Sequence, residues 1–154
     1  VVIINAEDYD NMGDLMAAIE NAFGDAGIDQ MSYFGHSYSG GLSVFFGNYD
    51  IDNRWIDSNT DWSGVTFNLG SEIYLFGCNG ASGGQSSIAQ TLANQTGATA
   101  YGYTSYTFFT DDKSLGHFER RPTDTDVNRI VPRSNQLWLV PTNGKPMTQF
   151  IPMQ

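Results

Sequence analysis

The sequence predicts an α/β fold on a mostly parallel sheet, and three observations point to it. Short apolar runs at Val1–Asn5, Gln30–Gly35, Ser71–Gly77 and Ala98–Tyr103 have strand length and end in turn residues. Helical periodicity fills the gaps between the first two runs and between the last two. Two of the runs, Tyr33-Phe34-Gly35-His36-Ser37 and Ile73-Tyr74-Leu75-Phe76-Gly77-Cys78-Asn79-Gly80, stop at a reactive side chain and pass into glycine. Open α/β sheets collect their working groups there, beyond the carboxyl ends of the strands.

Val1 to Asn5 reads as a strand buried on both faces. Asp10 or Asn11 then caps a helix whose apolar positions Met12, Leu15, Met16, Ile19 and Phe23 share one face, and Gly24 and Gly27 stop it. Gln30 to Gly35 follows as the second strand, so the first 35 residues predict a βαβ unit with parallel pairing. Ser37-Tyr38-Ser39-Gly40-Gly41 reads as a flexible turn, and Leu42 to Phe46 as a short strand. Residues 47 to 70 are polar and irregular, a long loop or short helix crossing the sheet. Ser71 to Gly77 is the third parallel strand, and Asn79 to Gly84 a small-residue turn. A helix from Gln85 to Thr96 turns Ile88 and Leu92 inward, with Gly97 as its cap, before the strand Ala98–Tyr103. Residues 105 to 133 show no clear period. Leu137–Val140 and Met147–Ile151 flank Asn143-Gly144, which predicts a C-terminal antiparallel hairpin.

With 154 residues the chain reads as a single domain, an α/β core over 1–104 and an irregular segment plus hairpin over 105–154. Aromatics at 14% and charged residues at only 16% describe a folded, aromatic-rich globule. Seven basic against 17 acidic residues leave a net charge of −10, which repels phosphate backbones and argues against nucleic acid as a partner. Arg120, Arg121, Arg129 and Arg133 are bunched late in the chain, as a contact patch or a solvated loop. No run reaches the roughly 20 apolar residues of a membrane span. Neither a basic leader nor an initiator Met opens the chain, which leads us to expect a mature fragment or an excised domain. The single Cys excludes an internal disulfide, so the fold does not depend on an oxidising compartment.

A thiol is a weak nucleophile until it is ionised, and a neighbouring imidazole is the usual agent. Adjacent parallel strands can bring His36 and Cys78 to the same edge, a hydrogen bond or one water apart. The backbone N–H groups of Ser37 and Cys78 would then line an oxyanion site. Against this stands the plainer reading, in which Cys78 is a buried structural Cys and His36 a turn residue.

Phe34-Gly35-His36-Ser37 and Phe76-Gly77-Cys78-Asn79-Gly80, with 42 residues from His36 to Cys78, resemble the caspase-like cysteine peptidases of clan CD. These include caspases, legumains, gingipains and the self-processing protease domains of large bacterial toxins. The stretch from Ser86 to Ala98 is similar to bacterial members, and the resemblance covers residues 1 to 104. It implies a three-layer α/β/α sandwich with Cys78 as nucleophile, His36 as general base and acid, and the Ser37 and Cys78 amides as oxyanion donors. The family usually has Gly after the His, where this chain has Ser37, and Ala before the Cys, where it has Gly77. The full family sheet also carries a further strand and helix before the His strand.

The resemblance further implies a protein or peptide substrate, with a pocket formed by Tyr103, Thr104, Ser105 and Tyr106. It implies an effector or toxin domain of a larger secreted bacterial protein, acting in a reducing cytosol and met there by an inhibitor or immunity protein. No cofactor is called for. A rival reading takes Gly35-His36-Ser37-Tyr38-Ser39 as a serine-hydrolase elbow, with Ser37 as nucleophile and His117 closing the triad. Another keeps the fold but makes it an inactive binding module. Asp50, Asp52, Asn53 and Asp57 lack the Gly and Glu of a calcium loop and read as a solvated acidic loop. One Cys and two His make zinc improbable, and Gly77–Gly84 lacks the Lys of a phosphate loop.

Overall fold

The computed structural model describes residues 1–45, 54–104 and 147–153, together with the backbones of 107–108 and 119–120. It is an α/β fold whose main sheet is mixed and mostly parallel, joined by antiparallel hairpin pairings. In that sheet β1 (Ile28–Phe34), β5 (Phe67–Phe76) and β6 (Thr99–Gly102) run parallel, and β9 (Thr148–Phe150) pairs antiparallel to β6. Between β1 and β5 the chain builds a small antiparallel sheet from β2 (Ser37–Tyr38), β3 (Gly41–Ser43) and β4 (Trp55–Ile56). A further pair, β7 (Thr107–Phe108) and β8 (Glu119–Arg120), is antiparallel.

Both helices form where the periodicity places them. α1 spans Met12–Phe23, with Asn11 accepting the Asp14 N–H at 3.0 Å as its N-cap and Gly24 at its C-terminus. Met12, Leu15 and Ile19 are its buried positions. α2 spans Ile88–Thr96 and starts three residues later than expected, because Gly84–Ser86 forms a separate 3-10 turn and Ser87 is the N-cap. The Ser87 Oγ accepts the Gln90 N–H at 3.2 Å, and Gly97 ends the helix in the left-handed region at φ 76°. One apolar cluster unites Leu15 and Ile19 of α1, Ile73 and Leu75 of β5, and Ile88 and Leu92 of α2. Alternation along β5 leaves its other face to Glu72, Tyr74 and Phe76.

Four expectations are corrected. Val1–Asn5 is not a strand: Val1, Val2 and Ile3 are exposed, and Asn5 caps the 3-10 turn Ala6–Asp8 by accepting the Glu7 N–H. Strand chemistry alone does not make a ladder: β1 stands at the edge of the sheet, paired only with β5, and Val1–Asn5 does not pair with its other side. The N-terminal βαβ unit is therefore absent, and the unit the fold contains is β5–α2–β6. Ser37–Gly41 is not a flexible turn but half of a hairpin, with Ser37 opposite Leu42 and Tyr38 opposite Gly41. The reading of 47–70 as loop or helix gives way at both ends, since Trp55–Ile56 pairs with β3 and β5 begins at Phe67. Of the C-terminal hairpin, residues 137–146 lie outside the described residues, and β9 pairs with β6.

Two outcomes follow. Leu92 is fully buried, so Leu92→Ala should lower the unfolding free energy in urea by about 2–5 kcal/mol. On the outer face the Tyr74 phenol is pushed up to about 12 by desolvation and by its bond to Glu72. Tyrosines of the unfolded chain ionise first, near 10, so the urea midpoint should decline as pH rises through about 10 to 12. A Glu72→Gln variant should show a weaker decline.

Candidate active site

Register sets the site. β1 and β5 pair from Gln30 with Glu72 to Phe34 with Phe76 at a constant offset of 42 residues, and the same offset carries His36 to Cys78. Both residues follow directly on the carboxyl ends of adjacent parallel strands, one residue past a glycine. His36 is exposed and Cys78 half-buried. After Cys78 the chain turns at once: Asn79 takes φ 55°, which Asn tolerates better than most residues, and the Asn79 carbonyl accepts the Ser82 N–H at 2.9 Å.

The hairpin after His36 is locked onto this turn. The Ser37 hydroxyl donates to the Cys78 carbonyl at 2.6 Å, and the Ile88 N–H at the start of α2 donates to the Ser39 carbonyl. The Ser43 N–H donates to the His36 carbonyl at 2.8 Å. Hydrogen-bonded and non-bonded pairs alternate in an antiparallel ladder, so Ser37, one residue on, directs its N–H away from β3.

Gly77 is required by the same contact. A Cβ there would collide with the Ser37 Oγ and lie 2.8 Å from the Gly35 carbonyl oxygen. The two departures from the caspase-like pattern, Ser after the His and Gly before the Cys, are thus complementary: the Ser37 side chain occupies the space of the missing methyl.

Tyr33 completes the cluster, and sequence reasoning did not single it out. Its hydroxyl lies 2.7 Å from the His36 carbonyl and 2.7 Å from the Ser43 carbonyl. Burial pushes its phenol well above the ordinary range, and the charge of a Cys78 thiolate adds to the rise. The available signal was period-2 alternation, which puts Tyr33 on the Met31 side of the strand with a polar end to satisfy.

Of the expected substrate residues, Tyr103 is buried with Phe76 and Met147 packed against it, and its carbonyl accepts the Ala81 N–H at 2.9 Å. Thr104 is exposed and its carbonyl accepts the Ser82 hydroxyl at 2.8 Å. Both therefore border the turn after Cys78 through their backbones. Ser105, Tyr106 and His117 lie outside the described residues, as do Asp50, Asp52 and Asn53 of the acidic loop. Asp57 serves its own turn, accepting the Asn59 N–H at 2.8 Å. The elbow reading of Ser37 needs a helix directly after it, and a β-hairpin stands there. Among the described residues no group of three His, Cys, Asp or Glu is placed to hold a metal, and no helix is long and apolar enough to cross a membrane.

Gly77→Ala should cost about 1–3 kcal/mol in urea unfolding through overpacking. Adding Ser37→Gly should restore part of that loss, since it clears the hydroxyl but not the Gly35 carbonyl.

Comparison with known proteins bears on one part of the chain. No curated protein and no solved structure matches it. Residues 56–121, less than half of the sequence, match the family described as secreted effector protein SteB. The matched stretch contains Cys78 and begins after His36. In that stretch the chain is similar to a secreted effector family.

Proposed function

We propose that this chain is a cysteine endopeptidase using a His36–Cys78 dyad, and that it serves as an effector domain of a secreted bacterial protein. The observation that supports the enzymatic reading is the β1–β5 register, whose offset of 42 from Gln30 to Phe34 is also the spacing from His36 to the only Cys, each just past the carboxyl end of its strand. The match of residues 56–121 to a secreted effector family supports the effector role. A lone thiol suits action in a reducing cytosol.

In this mechanism the His36 imidazole takes the Cys78 proton as the sulfur attacks a peptide carbonyl carbon. The Ser37 and Cys78 N–H groups receive the oxyanion. Collapse of the tetrahedral intermediate breaks the C–N bond, and the imidazolium gives its proton to the leaving amine. Water, deprotonated by His36, then releases the acyl group from sulfur. The Tyr103–Thr104 backbone, stapled to the turn after Cys78, would border the substrate, with Ser105 and Tyr106 following in sequence.

A second reading, a binding module without turnover, draws on the outer face of the sheet. There Phe34 stacks on Phe76 and Tyr74 on Tyr101, each at 4.8 Å, and Phe34 is 40% exposed. Cleavage of a mixed peptide library separates the two. Under the peptidase reading, Cys78→Ala and His36→Ala each lower the rate by about 100-fold or more, and Ser37→Ala leaves most of it. Cleavage that survives Cys78→Ala, or is lost only in Ser37→Ala, contradicts the dyad.

A further inference from the structure

We propose that Tyr33 is the positioning residue of the dyad: its phenol fixes the His36–Ser37 peptide, and through it both the His36 imidazole and the Ser37 N–H. The inference rests on the peptidase reading above. His36 lies between the last residue of β1 and the first of β2, outside both ladders. Two donors converge on its carbonyl, the Ser43 N–H at 2.8 Å and the Tyr33 hydroxyl at 2.7 Å. The Tyr33 oxygen is held in turn 2.7 Å from the Ser43 carbonyl, so the single proton can serve either acceptor without the ring moving. A trans peptide is planar, with its C=O and N–H pointing in opposite directions. Holding the His36 carbonyl toward β3 therefore aims the Ser37 N–H away from it and fixes the direction in which His36 leaves the backbone.

The chain around the ring is shaped for this contact. A Cβ on Gly35 would lie 2.5 Å from the Tyr33 hydroxyl oxygen and 2.9 Å from Cζ, so the phenol returns across a residue that must lack a side chain. Its ionisation is raised, first by burial, which favours the protonated, donating form of the hydroxyl. Tyr33 need not touch a substrate to matter. It acts through its neighbours.

The test uses the full chain and the rate at which iodoacetamide labels Cys78 near pH 6.5, divided by the rate near pH 9.5, where an accessible thiol ionises unaided. Tyr33→Phe keeps the ring and removes only the hydroxyl. The ratio is expected to fall about tenfold in Tyr33→Phe, to fall in His36→Ala, and to fall no further when the two are combined. Gly35→Ala, which displaces the phenol from the other side, should reproduce the effect and provides a second route if the Phe variant does not fold. A ratio that falls in His36→Ala but holds in both Tyr33→Phe and Gly35→Ala overturns the positioning role alone. Additive losses in the double variant overturn it as well. A ratio indifferent to His36→Ala removes the dyad, and the role of Tyr33 with it.

Discussion

The parallel register of β1 on β5 is the constraint on which the site depends. Each ladder partner from Gln30 to Phe34 meets the residue 42 positions later, and a slip of one residue would turn every side chain of β1 to the wrong face. Register is strongly specified here because one face is buried, with Ile73 and Leu75 inaccessible to solvent. The core thus fixes the register on which the proposed dyad depends. The hydrophobic pattern of two strands sets the spacing of the proposed chemistry.

The hairpin of β2 and β3 converts this coarse placement into a defined one. It is tied to the Cys78 carbonyl through Ser37, to the start of α2 through Ser39, and to the exit of β1 through Tyr33. Tyr38 packs edge-on against Trp55, ring centres 5.0 Å apart, which joins the hairpin to β4. The ties through Ser37 and Ser39 cross more than forty residues of chain, and the one through Tyr33 holds the His36 carbonyl locally. A single methyl at position 77 would break into that arrangement, which is why the neighbouring serine and glycine must be read as a pair.

Much of this was legible in the sequence because it is local. The helical face from Met12 to Phe23, the aromatic run ending at Cys78 and the glycine closing α2 each reveal themselves within a dozen residues. What failed was non-local. Val1–Asn5 has strand chemistry, yet it does not pair with the edge strand β1, and pairing cannot be read from composition. The glycines after Ser39 suggested flexibility, although the turn they make is held by a helix nearly fifty residues further along. The placement of His36 and Cys78 just past the ends of two neighbouring parallel strands was readable from the strand pattern. The contact of Tyr33 with the Ser43 carbonyl was not, because it arises only when β3 folds back on the exit of β1.

The most direct test of the central claim is a chemical ruler. If the register carries His36 beside Cys78, the two Cα atoms sit about one inter-strand spacing apart, within the roughly 4.4–6.8 Å span a disulfide bridges. The variant His36→Cys, mildly oxidised and then digested, should yield a peptide pair joined through positions 36 and 78 by mass spectrometry. Formation of that bridge in the folded monomer is the predicted result. Two thiols that both remain open to alkylation after oxidation would contradict the register, and with it the proposed dyad.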